Sequence, residues 1–297
     1  MGAAGSSRLP NTLIIGAQKC GTSALHRQLA AHPDVFTCAR KEPHFFSHNH
    51  GQPRDVDAYR RLFDGAGDAR VVLEASTTYT MFPLSRNTPE LIRETLGPEV
   101  RLIYCMREPL ARIRAGYIHS VAAGTESRPI DVAVMEDLRL LTPSLYALQL
   151  ERYLAVFPRE RILCLQHEAM RRDPEGALDE TLRFLGLDAS WRPDTFDRVN
   201  VSSEKRAPRG WWRRLGGLTF RPQFSWLKPV VQRLSTHTEL VTRPIRDDET
   251  VMSEDVADAL LVLIRDDLRR LQTLLGDGWD WNHLASRARR LTTSTSP

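Results

Sequence analysis

The stretch Gly16-Ala17-Gln18-Lys19-Cys20-Gly21-Thr22-Ser23 constrains this chain more than any other. It has the spacing of a phosphate-binding loop, G-x-x-x-x-G-K-[ST], with the lysine displaced. Thr22 follows the second glycine, and Lys19 stands two places before it. Upstream, Asn11–Ile15 reads as a short buried strand; downstream, Ser23–Leu29 opens a helix with Leu25 and Leu29 four apart. Loop N–H groups and the helix N-terminus then form an anion cradle. Shifting the lysine shifts the cation along the bound phosphate chain, and so changes which bond it helps to break.

Further strands are expected at Val71–Leu73, Arg101–Met106 and Arg161–Leu165. Helices are expected at Pro89–Leu96, Leu110–Ala122, Ser144–Phe157 and Pro174–Leu185. Short apolar strands alternating with helices predict an α/β fold, three-layered around a central parallel sheet, of the P-loop NTPase-like kind. The anion then lies at the carboxyl edge of the sheet. One domain is expected over 11–285, with flexible tails at 1–10 and 286–297. Within it, Lys205–Arg246 carries ten Lys/Arg against one acid, Glu239, and five of the aromatics Trp and Phe. Ser253–Leu275 reads as an amphipathic helix whose core stripe is Val256, Leu260, Leu263, Ile264, Leu268, Leu271 and Leu275.

Composition removes several classes. A net charge of +4 suits a small anionic ligand and gives no reason to expect nucleic acid. The four scattered cysteines form neither a C-x-x-C pair nor a His/Cys cluster, which fits a reducing compartment and no zinc site. No apolar run approaches the ~20 residues that span a bilayer. A cytoplasmic protein is therefore expected. Met1–Ser6 matches an acylation pattern but reads more simply as a small-residue tail.

Several segments, in order, carry a resemblance to the sulfotransferases that use 3′-phosphoadenylyl sulfate (PAPS). They are Ile14–Leu25, His32-Pro33, Lys41-Glu42-Pro43-His44-Phe45-Phe46, Leu73-Glu74-Ala75-Ser76-Thr77-Thr78-Tyr79, Arg107-Glu108-Pro109-Leu110-Ala111-Arg112, Asp173-Pro174 with Phe184–Leu187, and the last helix before Trp279. The chain is more similar to the heparan sulfate and bacterial members than to the cytosolic steroid and phenol group. The resemblance implies PAPS as donor, adenosine 3′,5′-bisphosphate as product and no metal requirement. It also implies roles. Lys19 would stabilise the leaving phosphate, while Cys20, Gly21, Thr22, Ser23 and Ala24 hold the 5′-phosphate. Arg107 would grip the 3′-phosphate, and Lys205 and Arg206 resemble a late basic loop that closes over it. The family places a serine eight residues after this arginine, where this chain has Ala115; Arg114 or Ser120 is the available substitute.

An acceptor hydroxyl (an amine is the lesser expectation) must lose a proton, so a general base is expected. Glu42, His44 and Glu74 are the candidates. Glu42 matches the family position of the base. His44 has the better intrinsic pKa. Glu74 ends an apolar strand, where burial would raise its pKa. Pro43 favours an extended backbone that points Glu42 and His44 the same way. The heparan sulfate enzymes commonly follow the last glutamate with lysine; Ala75 here argues against a highly anionic polysaccharide, leaving small-molecule, glycosylated or lipophilic acceptors. His26, His32 and His119 read as structural. The basic, aromatic 205–246 segment is expected to be a lid, with a peripheral membrane contact or a plain insertion as alternatives. The competing functional readings are a P-loop nucleotide kinase and a non-catalytic nucleotide-binding member of the fold.

Overall fold

The computed structural model describes residues 8–38, 40–47, 54–194, 206–210, 241–276, 281, 283 and 284. Five parallel strands form the central sheet: β1 (Thr12–Gly16), β2 (Val35–Thr37), β3 (Val71–Ala75), β4 (Arg101–Met106) and β5 (Ile162–Gln166). Their spatial order is β2-β3-β1-β4-β5. β1 pairs with β3 on one side and β4 on the other, Leu13 standing between Glu74 and Leu102. Leu13, Ile14, Ile15, Val72, Leu73, Leu102 and Ile103 are wholly buried, as a sheet covered on both faces requires. Burying each such side chain contributes on the order of 1.5–3 kcal/mol.

Helices flank the sheet: α1 (Thr22–Ala30), α2 (Val56–Arg61), α3 (Thr88–Leu96), α4 (Pro109–Ala122), α5 (Ile130–Glu136), α6 (Leu138–Leu141), α7 (Tyr146–Leu154), α8 (His167–Arg172) and α9 (Pro174–Leu185). α10 (Glu254–Leu275) packs on α7. Its buried side chains are Leu260, Leu261, Ile264, Asp267, Leu268 and Leu271. Leu263, assigned to the stripe from its spacing, is 57% exposed, and Leu261 takes the inward place. Both lie near the stripe's edge, where spacing alone does not separate facing from flanking positions. The expected Ser144–Phe157 helix is shorter, because Thr142–Ser144 is a separate 3-10 turn.

Within the basic segment, the described residues form an antiparallel pair, β6 (Arg206–Pro208) with β7 (Thr242–Pro244). Lys205, residues 211–240 and the tails beyond residues 7 and 284 lie outside the described residues. No described helix is long and apolar enough to cross a membrane.

The chain order decides where a ligand can sit. From β1 the chain runs to β2 and β3 on one side, and it later continues through β4 to β5 on the other. The loops leaving β1 and β4 therefore diverge, opening a crevice at the carboxyl edge.

Candidate active site

The loop after β1 is shaped by its glycines. Gly16 has φ +153°, and a methyl group there would stand 1.9 Å from Thr80 Oγ1. Gly21, at φ +87°, is the N-cap of α1 and supplies no side chain to bond the first-turn amides. The Ala24 amide donates to the Gly21 carbonyl at 3.0 Å, and the Thr22 and Ser23 N–H groups are left for an anion. Lys19 precedes this cap with φ +72°. A bulky residue in the left-handed region is held there by its surroundings and marks a candidate site.

Four neighbouring strand ends converge on a cleft of about 390 Å³. The β1 loop contributes Gln18, Lys19, Gly21, Thr22, Ser23 and Ala24. Thr77 follows β3, Arg107 follows β4 and His167 follows β5. Lys41 and Glu42 arrive from the segment after β2, while Ala115 and His119 face it from α4. Arg107 crosses the crevice, its Nη1 donating to the Lys19 carbonyl at 3.4 Å. The second helix N-terminus at this edge is built differently. The Glu108 carboxylate caps α4 by accepting from the amides of Leu110 and Ala111.

The candidate bases separate. Glu42 is half-buried at the cleft wall, its carboxylate 3.6 Å from Lys41 Nζ and accepting from Thr77 Oγ1 at 3.4 Å. His44 stands behind it, Nε2 3.7 Å from Glu42 Oε2 and Nδ1 2.8 Å from Thr78 Oγ1. The two do meet, although not by extended alternation. Glu42 and His44 have φ +56° and +58°, and Ala75 O and Ser76 Oγ fix their amides. Glu74 does not line the cleft. It is fully buried, and its carboxylate accepts from Tyr59 at 2.6 Å and Tyr79 at 2.9 Å. Burial raises its pKa to about 7, as the sequence suggested, yet a base has to reach its substrate.

The Cys20 side chain points inward, fully buried, and burial lifts its thiol to about 11, so only its backbone serves the loop. Arg206 bonds Thr242 within the β6–β7 pair, at 2.8 Å, instead of reaching the cleft. Arg114 donates to Thr250, and so does not substitute for the serine replaced by Ala115. His119, read as structural, lies one turn beyond Ala115 and lines the cleft. His167 and Lys41 were also missed; the Lys41 ammonium bonds the Ser23 hydroxyl. A position directly after a strand, as for His167, was the signal that could have found one of them.

A larger cavity of about 580 Å³ lies between α4 and the β6–β7 pair. Both of its cations are matched with acids of its own wall, Arg128 with Glu126 at 2.6 Å and Arg243 with Glu249 at 2.8 Å. It shares neither the phosphate loop nor Glu42, so the chemistry is assigned to the smaller cleft.

The sulfotransferase domain model matches residues 9–210, which contain the sheet and every wall of the cleft. The chain belongs to the sulfotransferase family. Human heparan sulfate glucosamine 3-O-sulfotransferase 3B1 is 30% identical over 197 residues, covering 62% of this chain and 47% of its own. Human bifunctional heparan sulfate N-deacetylase/N-sulfotransferase 3 is 28% identical over 203 residues, covering 61% and 22%. The match thus spans less than half the length of these relatives. Among solved structures, a sulfotransferase from Alicyclobacillus acidocaldarius superposes with TM-score 0.64 at 26% identity, covering 92% of this chain and 98% of that one. The chain therefore has the P-loop NTPase-like fold of its family, as the alternating strands and helices predicted.

Proposed function

We propose that the protein transfers the sulfuryl group of PAPS to a hydroxyl of a carbohydrate or other small acceptor. One observation carries the reading: Lys19, Glu42 and Arg107 face a single cleft, the first two held in left-handed backbone conformations. The residues fit the donor. Uncapped α1 amides with Thr22 and Ser23 suit the 5′-phosphate, and a guanidinium at the far side of the crevice suits a 3′-phosphate bidentately.

Lys19 donates to the oxygen that bridges phosphorus and sulfur as it gains charge, and so stabilises the leaving group. Glu42 takes the acceptor proton while the acceptor oxygen bonds to sulfur. The bond from sulfur to the bridging oxygen breaks, and adenosine 3′,5′-bisphosphate leaves. His44 and Thr77 orient the Glu42 carboxylate. Positioning and charge stabilisation supply the rate, as in phosphoryl transfer.

Both named relatives are heparan sulfate enzymes, which supports a sugar acceptor, and the 3-O-sulfotransferase supports a hydroxyl where the N-sulfotransferase would point to an amine. Ala75 in place of a lysine favours a less anionic sugar or glycosylated molecule. The 205–246 segment is proposed as the lid of one domain spanning 11–285. Four unpaired cysteines favour the cytoplasm. The test is transfer of radiolabelled sulfate from PAPS to a panel of hydroxylated and amino acceptors. Labelled product that disappears in both Lys19→Ala and Glu42→Gln supports the reading. Turnover of ATP–Mg with no sulfate transfer overturns it in favour of a kinase.

A further inference from the structure

Tyr146 is the first residue of α7, distant in sequence from every loop that lines the cleft, and it is wholly buried. Its hydroxyl meets both sides of the crevice. It donates to the Arg107 carbonyl at 2.7 Å and accepts from the Arg107 amide at 3.2 Å. Cys20 Sγ, on the phosphate loop, lies 3.7 Å from the same oxygen, within hydrogen-bond range for sulfur. One phenol thus holds the backbone of the residue that would grip one phosphate and touches the loop that would cradle the other.

The tyrosine is itself held. Asp267 of α10 accepts from the amides of Ala147 and Leu148, at 3.0 and 2.8 Å, fixing the start of α7. Trp281 stacks on the Tyr146 ring at 5.4 Å. Nothing in the local packing of α7 requires a hydroxyl here; a phenylalanine would fill the same volume. The hydroxyl's partners are instead the two arms of the cleft.

We propose that Tyr146 is a positioning residue that sets Arg107 relative to the phosphate loop, and so sets the enzyme's preference for a 3′-phosphorylated nucleotide. The inference rests on the reading of the cleft as a PAPS site. Removing the hydroxyl leaves the Arg107 carbonyl and amide without their buried partner, freeing the segment that carries the guanidinium. The phosphate loop keeps its own anchors, the Ala17 amide on the Cys105 carbonyl and Gly21 at the start of α1.

The experiment is calorimetric titration of wild type, Tyr146→Phe, Arg107→Ala and the double variant with adenosine 3′,5′-bisphosphate and with 5′-AMP. Tyr146→Phe is expected to weaken bisphosphate binding about tenfold, in the range of a lost buried hydrogen bond, and AMP binding much less. In the Arg107→Ala background the same change should add almost nothing, the sign of a residue acting through its neighbour. Equal losses for both nucleotides, no loss for either, or full additivity with Arg107→Ala would overturn the proposal. A wild type that does not distinguish the two nucleotides would instead defeat the PAPS reading on which it rests. Should Tyr146→Phe fail to fold, hydrogen exchange of the wild-type Arg107 amide decides. Slower exchange with bisphosphate than with AMP supports the coupling, and identical exchange overturns it.

Discussion

Two helices begin at the same edge of the sheet and border the same cleft, and they solve the problem of their free amides in opposite ways. α1 starts at Gly21, whose lack of a side chain leaves the Thr22 and Ser23 amides uncapped. α4 starts at Glu108, whose carboxylate closes the first turn from within the protein. An open helix N-terminus binds an anion through the backbone. A closed one cannot, so a phosphate on that side must be held by side chains, of which Arg107 directly precedes the cap. The difference teaches that the two phosphates of the proposed donor would be recognised by different physics. One site reads charge and shape through N–H groups, while the other reads a planar fork of donors.

The largest expected effect lies on the open side. Lys19→Ala removes the cation proposed to stabilise the leaving oxygen and should lower kcat about 10³-fold, with bisphosphate affinity falling far less. A comparable loss of affinity with kcat preserved would mean that Lys19 only binds. Glu74→Gln tests the strand end that turns inward. The folded pKa of Glu74, about 7, is above its unfolded value, so its contribution is full below the ordinary carboxylate pKa and fades as pH rises through 7. Wild type should thus lose on the order of 3 kcal/mol between pH 4.5 and 7.5 from this group, and the variant should not. Thermal unfolding at several pH values measures it. Unchanged pH dependence in the variant would contradict the burial argument.

On the closed side, Arg107→Ala should cost roughly 10- to 100-fold in bisphosphate affinity while leaving 5′-AMP within about threefold. Glu108→Ala should cost about 1 kcal/mol of stability by denaturant titration, the loss of one cap, with little change in AMP binding. A large loss of AMP affinity would show that the two sites are not separable. The smallest effect sharpens the comparison. Ala115→Ser returns the family hydroxyl to the cleft wall and should tighten bisphosphate binding about two- to tenfold, and AMP binding not at all.

Much of this architecture could be read from the chain, and the reasons are local. β1, β3, β4 and β5 are apolar runs buried on both faces, and the loop of Gly16 and Gly21 has a spacing with few other meanings. β2, three residues long, carries too little periodicity to be read. The candidate site was legible where a residue follows a strand directly, as Arg107 follows β4, and in the glycine loop after β1 that carries Lys19. Glu74 misled because a perturbed pKa follows from burial whether or not the group reaches a substrate. His119 was missed because its helical position suggested packing. Its spacing of four from Ala115 was the available clue. Tyr146 was beyond reach, since its hydroxyl matters only once α7 is brought against the Arg107 segment by tertiary packing.

The most direct test of two differently built phosphate sites is calorimetric titration of the wild-type protein with adenosine 3′,5′-bisphosphate, 5′-AMP and ATP–Mg. The account predicts micromolar binding of the bisphosphate, weaker binding of 5′-AMP by a factor that vanishes in Arg107→Ala, and weaker binding of ATP–Mg. Equal affinity for bisphosphate and AMP, or tighter binding of ATP–Mg, would contradict it.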